Sequence, residues 1–182
     1  MFTAEPVHEP SKQVPSFIEI GLKASRKGNF QLARQMLHTA MEQLDGDEDK
    51  QPRLIELIVC IADTYLNEGS NDQAKAWYSK AFHRIELSQG ANTFQAACLM
   101  TKLAEVSVLQ DDMTEFQKCF ENAQRAYLFS EETDTASLLG SLTDLSWALC
   151  VKQHLAEAQA VNSLISQIKE LKEEDRLGIV AA

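Results

Sequence analysis

Beyond Pro52 the sequence holds no proline, so Arg53 to Ala182 is an uninterrupted run of 130 residues. A proline inside a helix costs about 3 kcal/mol, and its absence leaves that run free to form long helices. Glycine is also scarce, at 7 residues. There is no cationic excess: the formal net charge is −10. This argues against binding a nucleic-acid backbone, which needs a basic face, and against a polybasic membrane anchor. No apolar run approaches the ~20 residues of a membrane span. The opening MFTAEPVHEP lacks the basic-then-apolar pattern of a secretory signal, so a cytoplasmic protein is expected. No Cys-x-x-Cys pair exists. Cys60, Cys98, Cys119 and Cys150 each lie in an apolar stretch and are expected to be buried free thiols that behave as small hydrophobes.

What is present is a core and a repeat. Apolar residues make up 45% of the chain, enough to bury rather than remain disordered. Ala33, Ala74, Phe116 and Ala158 are separated by 41, 42 and 42 residues. Gly21, Ala62, Ala104 and Ser146 keep the same separations, and so do Ala40, Ala81, Ala123 and Ile165. Three parallel registers argue for about four copies of one supersecondary unit.

Each unit reads as two helices. Leu54, Leu57, Ile58, Ile61 and Tyr65 stand at helical spacing, as do Ala74, Trp77, Tyr78, Ala81, Phe82 and Ile85. Breakers divide the helices within a unit: Gly28-Asn29, Gly69-Ser70-Asn71, Asp111-Asp112 and Gln153-His154. Capping boxes fit at Ser16 with Glu19, Ser70 with Gln73, and Asp112 with Glu115. The predicted helices are 16–27, 30–44, 53–68, 71–89, 92–110, 113–130, 133–152 and 155–174. Residues 1–13 are expected to be a flexible leader and 175–182 a tail. The fold class is all-α: eight helices in four hairpins, stacked as an α-solenoid, because one hairpin cannot bury its apolar face alone.

The pattern resembles the tetratricopeptide repeat (TPR) family over roughly residues 14–174. Gly21, Gly28, Phe30, Ala33, Leu37 and Ala40 match its consensus in the first unit, and Ala62, Tyr65, Gly69, Ala74, Tyr78 and Ala81 in the second. The third departs at Phe116, and the fourth places Asn162 where an aromatic or leucine is usual. A period near 42 looks like the longer-helix variety found in kinesin light chains and related scaffolds. The resemblance implies a protein-interaction scaffold or adaptor without chemistry of its own.

Motifs for chemistry are sparse. Asp45, Asp47, Asp49 and Glu56 mimic part of a calcium loop. However, Lys50 stands where the turn needs glycine, and Pro52 interrupts the segment. His8, His38, His83 and His154 form no ligand spacing. There is no phosphate-binding glycine loop and no nucleophile elbow. No enzyme activity, metal or cofactor is therefore expected.

The resemblance further implies that the first helix of each hairpin lines a binding groove. Taking the residues three before, one after and four after each small packing residue gives Ile18, Leu22 and Ser25; Val59, Asp63 and Leu66; Thr101, Glu105 and Val108; Thr143, Trp147 and Cys150. Arg26, Asn67 and Glu56 stand at the rim. Leu66, Val108 and Trp147 are expected to form an apolar floor, with Asp63 and Glu105 attracting a basic and apolar protein segment; the alternative for Trp147, which adjoins the packing residue Ser146, is a place in the core. Residues 16–44 carry a net +2 and residues 130–168 a net −4, a polarity suited to orienting a partner. The last helix carries Leu155, Ala158, Val161, Leu164, Ile165, Ile168 and Leu171. That broad stripe supports an alternative, a structural subunit that self-associates as a homodimer through this helix.

Overall fold

The computed structural model describes residues 14–44, 51–130 and 135–177, with side chains to residue 172. These residues form eight helices and no strand: α1 (Val14–Arg26), α2 (Phe30–Glu42), α3 (Gln51–Glu68), α4 (Asn71–Gln89), α5 (Phe94–Leu109), α6 (Met113–Leu128), α7 (Ala136–Val151) and α8 (Leu155–Leu177). Neighbouring helices pack in pairs, as an all-α hairpin array requires. The leader, the acidic loop at 45–50 and the end of the tail lie outside the described residues. Helix α8 runs to Leu177, three residues past the predicted end.

The same turn joins the two helices of each hairpin. Gly28, Gly69, Asp111 and Gln153 have φ of 75°, 83°, 60° and 66°. Their separations, 41, 42 and 42, are those of the repeat. In each turn the following N–H (Asn29, Ser70, Asp112, His154) donates 2.9 Å to the carbonyl five residues back (Ala24, Tyr65, Ser107, Leu149). This is the Schellman closure, which needs a left-handed residue. Glycine takes that conformation readily, whereas Asp111 and Gln153 adopt it at a cost.

The next helix then starts on a cap. Asn29 Oδ1 accepts from Leu32 N at 3.3 Å, and Asp112 Oδ1 from Glu115 N at 3.0 Å. Thr93 Oγ1 opens α5 in the same way, accepting from Ala96 N at 3.2 Å. The predicted cap at Ser16 does not form, because α1 already begins at the buried Val14 and Ser16 lies within its first turn. Pro52 stands in the first turn of α3, where its missing N–H is no loss.

All twelve positions of the three small-residue registers are buried. At Gly21 a Cβ would fall 2.9 Å from Leu37 Cγ and 3.2 Å from the Ala33 carbonyl oxygen. The α1–α2 crossing is thus too close for any side chain.

The chain divides into two compact units, one reaching Trp77 and the other beginning at Tyr78. In the first, α2 packs on both α1 and α3. Its core joins Val14, Leu37, Ala40, Leu44, Leu57 and Ile61, with Tyr65 and Trp77 against it. The Arg34 guanidinium lies 4.5 Å above the Tyr65 ring and pairs with Glu68 at 2.6 and 3.3 Å. His38 is half-buried, with its ring edge-on to Trp77 at 5.2 Å.

In the second unit α5 packs on α6 and α7, and α7 on α8. Leu142, Leu145, Leu149, Val161 and Ile168 are buried there. The fourth repeat keeps its register, since the Ser146 hydroxyl donates to Asn162 Oδ1 at 2.8 Å. The equivalents of Asn162 (Leu37, Tyr78 and Phe120) are buried, whereas Asn162 is exposed. Most of the α8 stripe is ordinary core: Ala158, Val161, Ile165 and Ile168 are buried, and only Leu155 and Leu171 are exposed. The stripe offered as a self-association face is thus mostly enclosed among the described residues.

Candidate partner-binding faces

The predicted groove residues divide between the two units and meet different fates. In the first unit Leu22 and Arg26 stand on α1, and Val59, Asp63, Leu66 and Asn67 on α3. Leu22, Val59, Asp63 and Leu66 are half-buried, and Arg26 and Asn67 are exposed. The spacings of four and three residues keep each set on one helix face, and α1 touches α3. Four of these six residues are thus half-buried and two open, on two helices that touch. Glu56, expected at the rim, lies on α3 and is exposed.

In the second unit the expectation for α5 is corrected. Thr101 and Val108 are fully buried, and Glu105 is nearly so. None of them offers a surface. The Thr101 hydroxyl donates 2.9 Å to the Ala97 carbonyl. Glu105 accepts from Lys102 Nζ at 3.1 Å, and the same Nζ donates 2.8 Å to Asp144 of α7. Burial pulls the Lys102 pKa down, but the charge of Glu105 and the hydrogen bond and charge of Asp144 outweigh it and leave the pKa raised. Glu105 is thus part of an internal α5–α7 clamp rather than an attractor for a basic partner. Ten of the sixteen residues of α5 are buried, because this helix is apolar around most of its circumference and is enclosed accordingly.

Helix α7 is similarly apolar but is enclosed on one side only. Leu138, Leu142, Leu145 and Leu149 face the core. Thr143, Asp144, Trp147, Cys150 and Val151 stand together on the opposite face, and all are exposed. Trp147 is 70% exposed, Val151 56% and Leu155, just past the turn, 66%. Of the twelve predicted groove positions, those on α7 are the ones left open around a large aromatic side chain. Val151 escaped the sequence reading and Leu155 entered it only as part of the α8 stripe, since position rules taken from the repeat stop before the helix end. The contrast of four buried leucines with a tryptophan outside their arc is the signal that marks them.

The cysteines differ from expectation as well. Cys119 is buried, Cys60 and Cys98 are intermediate, and Cys150 is exposed on the α7 face. Burial, then the charges of Asp63 and Glu56, push the Cys60 thiol up to about 11, and burial pushes Cys98 up to about 12. Both stay protonated at neutral pH and are poor nucleophiles. Among the described residues no three His, Cys, Asp or Glu side chains gather as metal ligands.

No protein-family model and no curated protein sequence matches the chain. Among solved structures it is similar to the crystal structure of BtubC (BKLC) from P. vanneervenii. The TM-score is 0.70 over 93% of this chain and 68% of that one, at 14% sequence identity. That likeness concerns the helical fold. No helix among the described residues is long and apolar enough to cross a membrane.

Proposed function

We propose that the chain is a cytoplasmic, non-enzymatic protein-binding module of the tetratricopeptide-like kind, and that a protein segment docks on the exposed face of α7. The observation that carries this reading is Trp147, which stands 70% exposed on a helix whose other face is fully packed. A tryptophan outside the core adds nothing to packing, yet it is among the strongest anchors at interfaces, because a large rigid ring buries much surface at little entropy cost. Val151 and Leu155 extend the apolar area, and Thr143 and Asp144 supply a polar rim. The hairpin fold supports the reading too, since repeat arrays present long rigid surfaces.

The test is affinity purification with the wild type and Trp147→Ala, alongside thermal melting of both. The expected result is a set of proteins recovered by the wild type and depleted roughly tenfold or more with the variant, at equal melting temperature. Equal recovery by both, or a lowered melting temperature for the variant, defeats the reading. Light scattering adds one more outcome. A dimer that Trp147→Ala dissociates would replace the adaptor reading with that of a self-assembling subunit.

A further inference from the structure

A large residue in one of the small-residue registers has a structural consequence. At the position where α2, α4 and α8 carry Ala33, Ala74 and Ala158, α6 carries Phe116. Its ring stacks on Phe120 one turn along, with centroids 5.8 Å apart and planes 10° apart. The two rings lie at a cleft of about 470 Å³ bordered by α6 and α8, the second helices of consecutive hairpins. Ala156 and Ala160, both exposed, line it from α8. Glu121 on α6 and Glu157 on α8 stand on opposite walls, and no lysine or arginine is among the lining residues.

We propose that this cleft is a second docking site, distinct from the α7 face, and that it takes a basic amphipathic helical segment of a partner protein. Three features define that occupant. The phenylalanine pair, 5% and 8% exposed, closes the base of the cleft with apolar surface against which the apolar side of an incoming helix can rest. The alanines, at i, i+4, present no bulk, so that a helix backbone can approach closely and pack its ridges between them. The glutamates on either wall select lysine or arginine flanking that apolar side, and the uniform sign of charge rejects an acidic segment.

The test uses a fluorescein-labelled peptide of about 16 residues, long enough to hold a helix on a surface, with leucines at i, i+4 and lysines beside them. A counterpart has glutamate in place of lysine. Fluorescence anisotropy with the full chain should show saturable binding of the lysine peptide and roughly tenfold weaker binding of the glutamate peptide. Amide NMR shifts should concentrate on α6 and α8. Ala160→Arg, at an exposed position, should fill the cleft and weaken the lysine peptide roughly tenfold or more while the melting temperature holds. Glu121→Gln with Glu157→Gln should flatten the salt dependence of binding. Trp147→Ala should leave it unchanged, so failure here and failure of the α7 reading are separable. Equal binding of both peptides, unchanged affinity in Ala160→Arg, or loss with Trp147→Ala alone would each overturn the proposal. So would a dimer of the unliganded chain that Ala160→Arg dissociates, which would give the cleft to a second copy.

Discussion

Helices α5 and α7 occupy the same place in successive hairpins, 42 residues apart, and the protein uses them differently. Thr101 corresponds to Thr143, Glu105 to Trp147 and Val108 to Cys150. The first member of each pair is buried and the second exposed. The two helices are similarly apolar, yet ten residues of α5 are buried against seven of α7. A repeat establishes which residues are equivalent. It does not establish which equivalents are covered, because coverage depends on neighbours that the helix itself does not encode. The same position carries an enclosed glutamate in one hairpin and an exposed tryptophan in the next.

The sharpest way to break this comparison is to place a carboxylate at matched positions. Val108→Asp buries an unpaired charge and should cost several kcal/mol, on the order of 3–5. Cys150→Asp should stay within about 0.5 kcal/mol. Chemical denaturation of both variants checks the pair, and similar losses would mean that the two faces are equally enclosed.

Next in size is the clamp that joins the two helices. Lys102→Met leaves Glu105 nearly buried with its Lys102 partner gone, and should destabilise by about 1–3 kcal/mol. The pH dependence follows from the raised Lys102 pKa. A lysine whose folded pKa exceeds its unfolded value contributes fully below the unfolded value and loses that contribution as pH rises through the folded one. The contribution of Lys102 should therefore hold at neutral pH and fade only above its ordinary value of 10.5. Melting curves from neutral to alkaline pH should show the wild type and Lys102→Met converging at the alkaline end.

Smaller again are the turns that end the two helices. Gln153 and Asp111 both sit at left-handed φ, where glycine is favoured. Gln153→Gly should stabilise by about 0.5–1 kcal/mol. Asp111→Gly should gain less, because Asp111 also pairs with Lys152 at 2.8 Å, an exposed pair that contributes about 0–1 kcal/mol. Thermal melts rank the two, and a loss in Gln153→Gly would show that the turn is not strained. The smallest effect belongs to Trp147→Ala, whose stability should change by less than about 0.5 kcal/mol. A drop in melting temperature would move the tryptophan into the core and erase the contrast with Glu105.

Much of the array is legible in the residues. The α4 bounds are reproduced as read, and the other helix ends shift by up to three residues. Helix ends are written locally, in breakers such as Gly69 and caps such as Asp112. The small-residue registers mark burial correctly at every position, since close helix crossings admit few side chains. The Asp112–Glu115 cap is read correctly because it needs only neighbours in sequence. The groove is legible in part. Thr143 stands open as expected and Trp147 follows the groove rather than the core alternative, while Val108 and Glu105 are enclosed, and Lys102, the residue that claims Glu105, was missed because its second partner, Asp144, lies 42 residues away.

By itself, then, the sequence determined the eight-helix hairpin pattern, its period, its turns and the positions of closest approach, all of which rest on spacing within a helix or on the conformational preferences of single residues. Only the tertiary structure decided which apolar faces remain open. It enclosed α5, left Trp147 of α7 outside, reduced the α8 stripe to core and placed the Phe116–Phe120 pair at a cleft. Burial is set by what packs against a face, and that comes from residues distant along the chain.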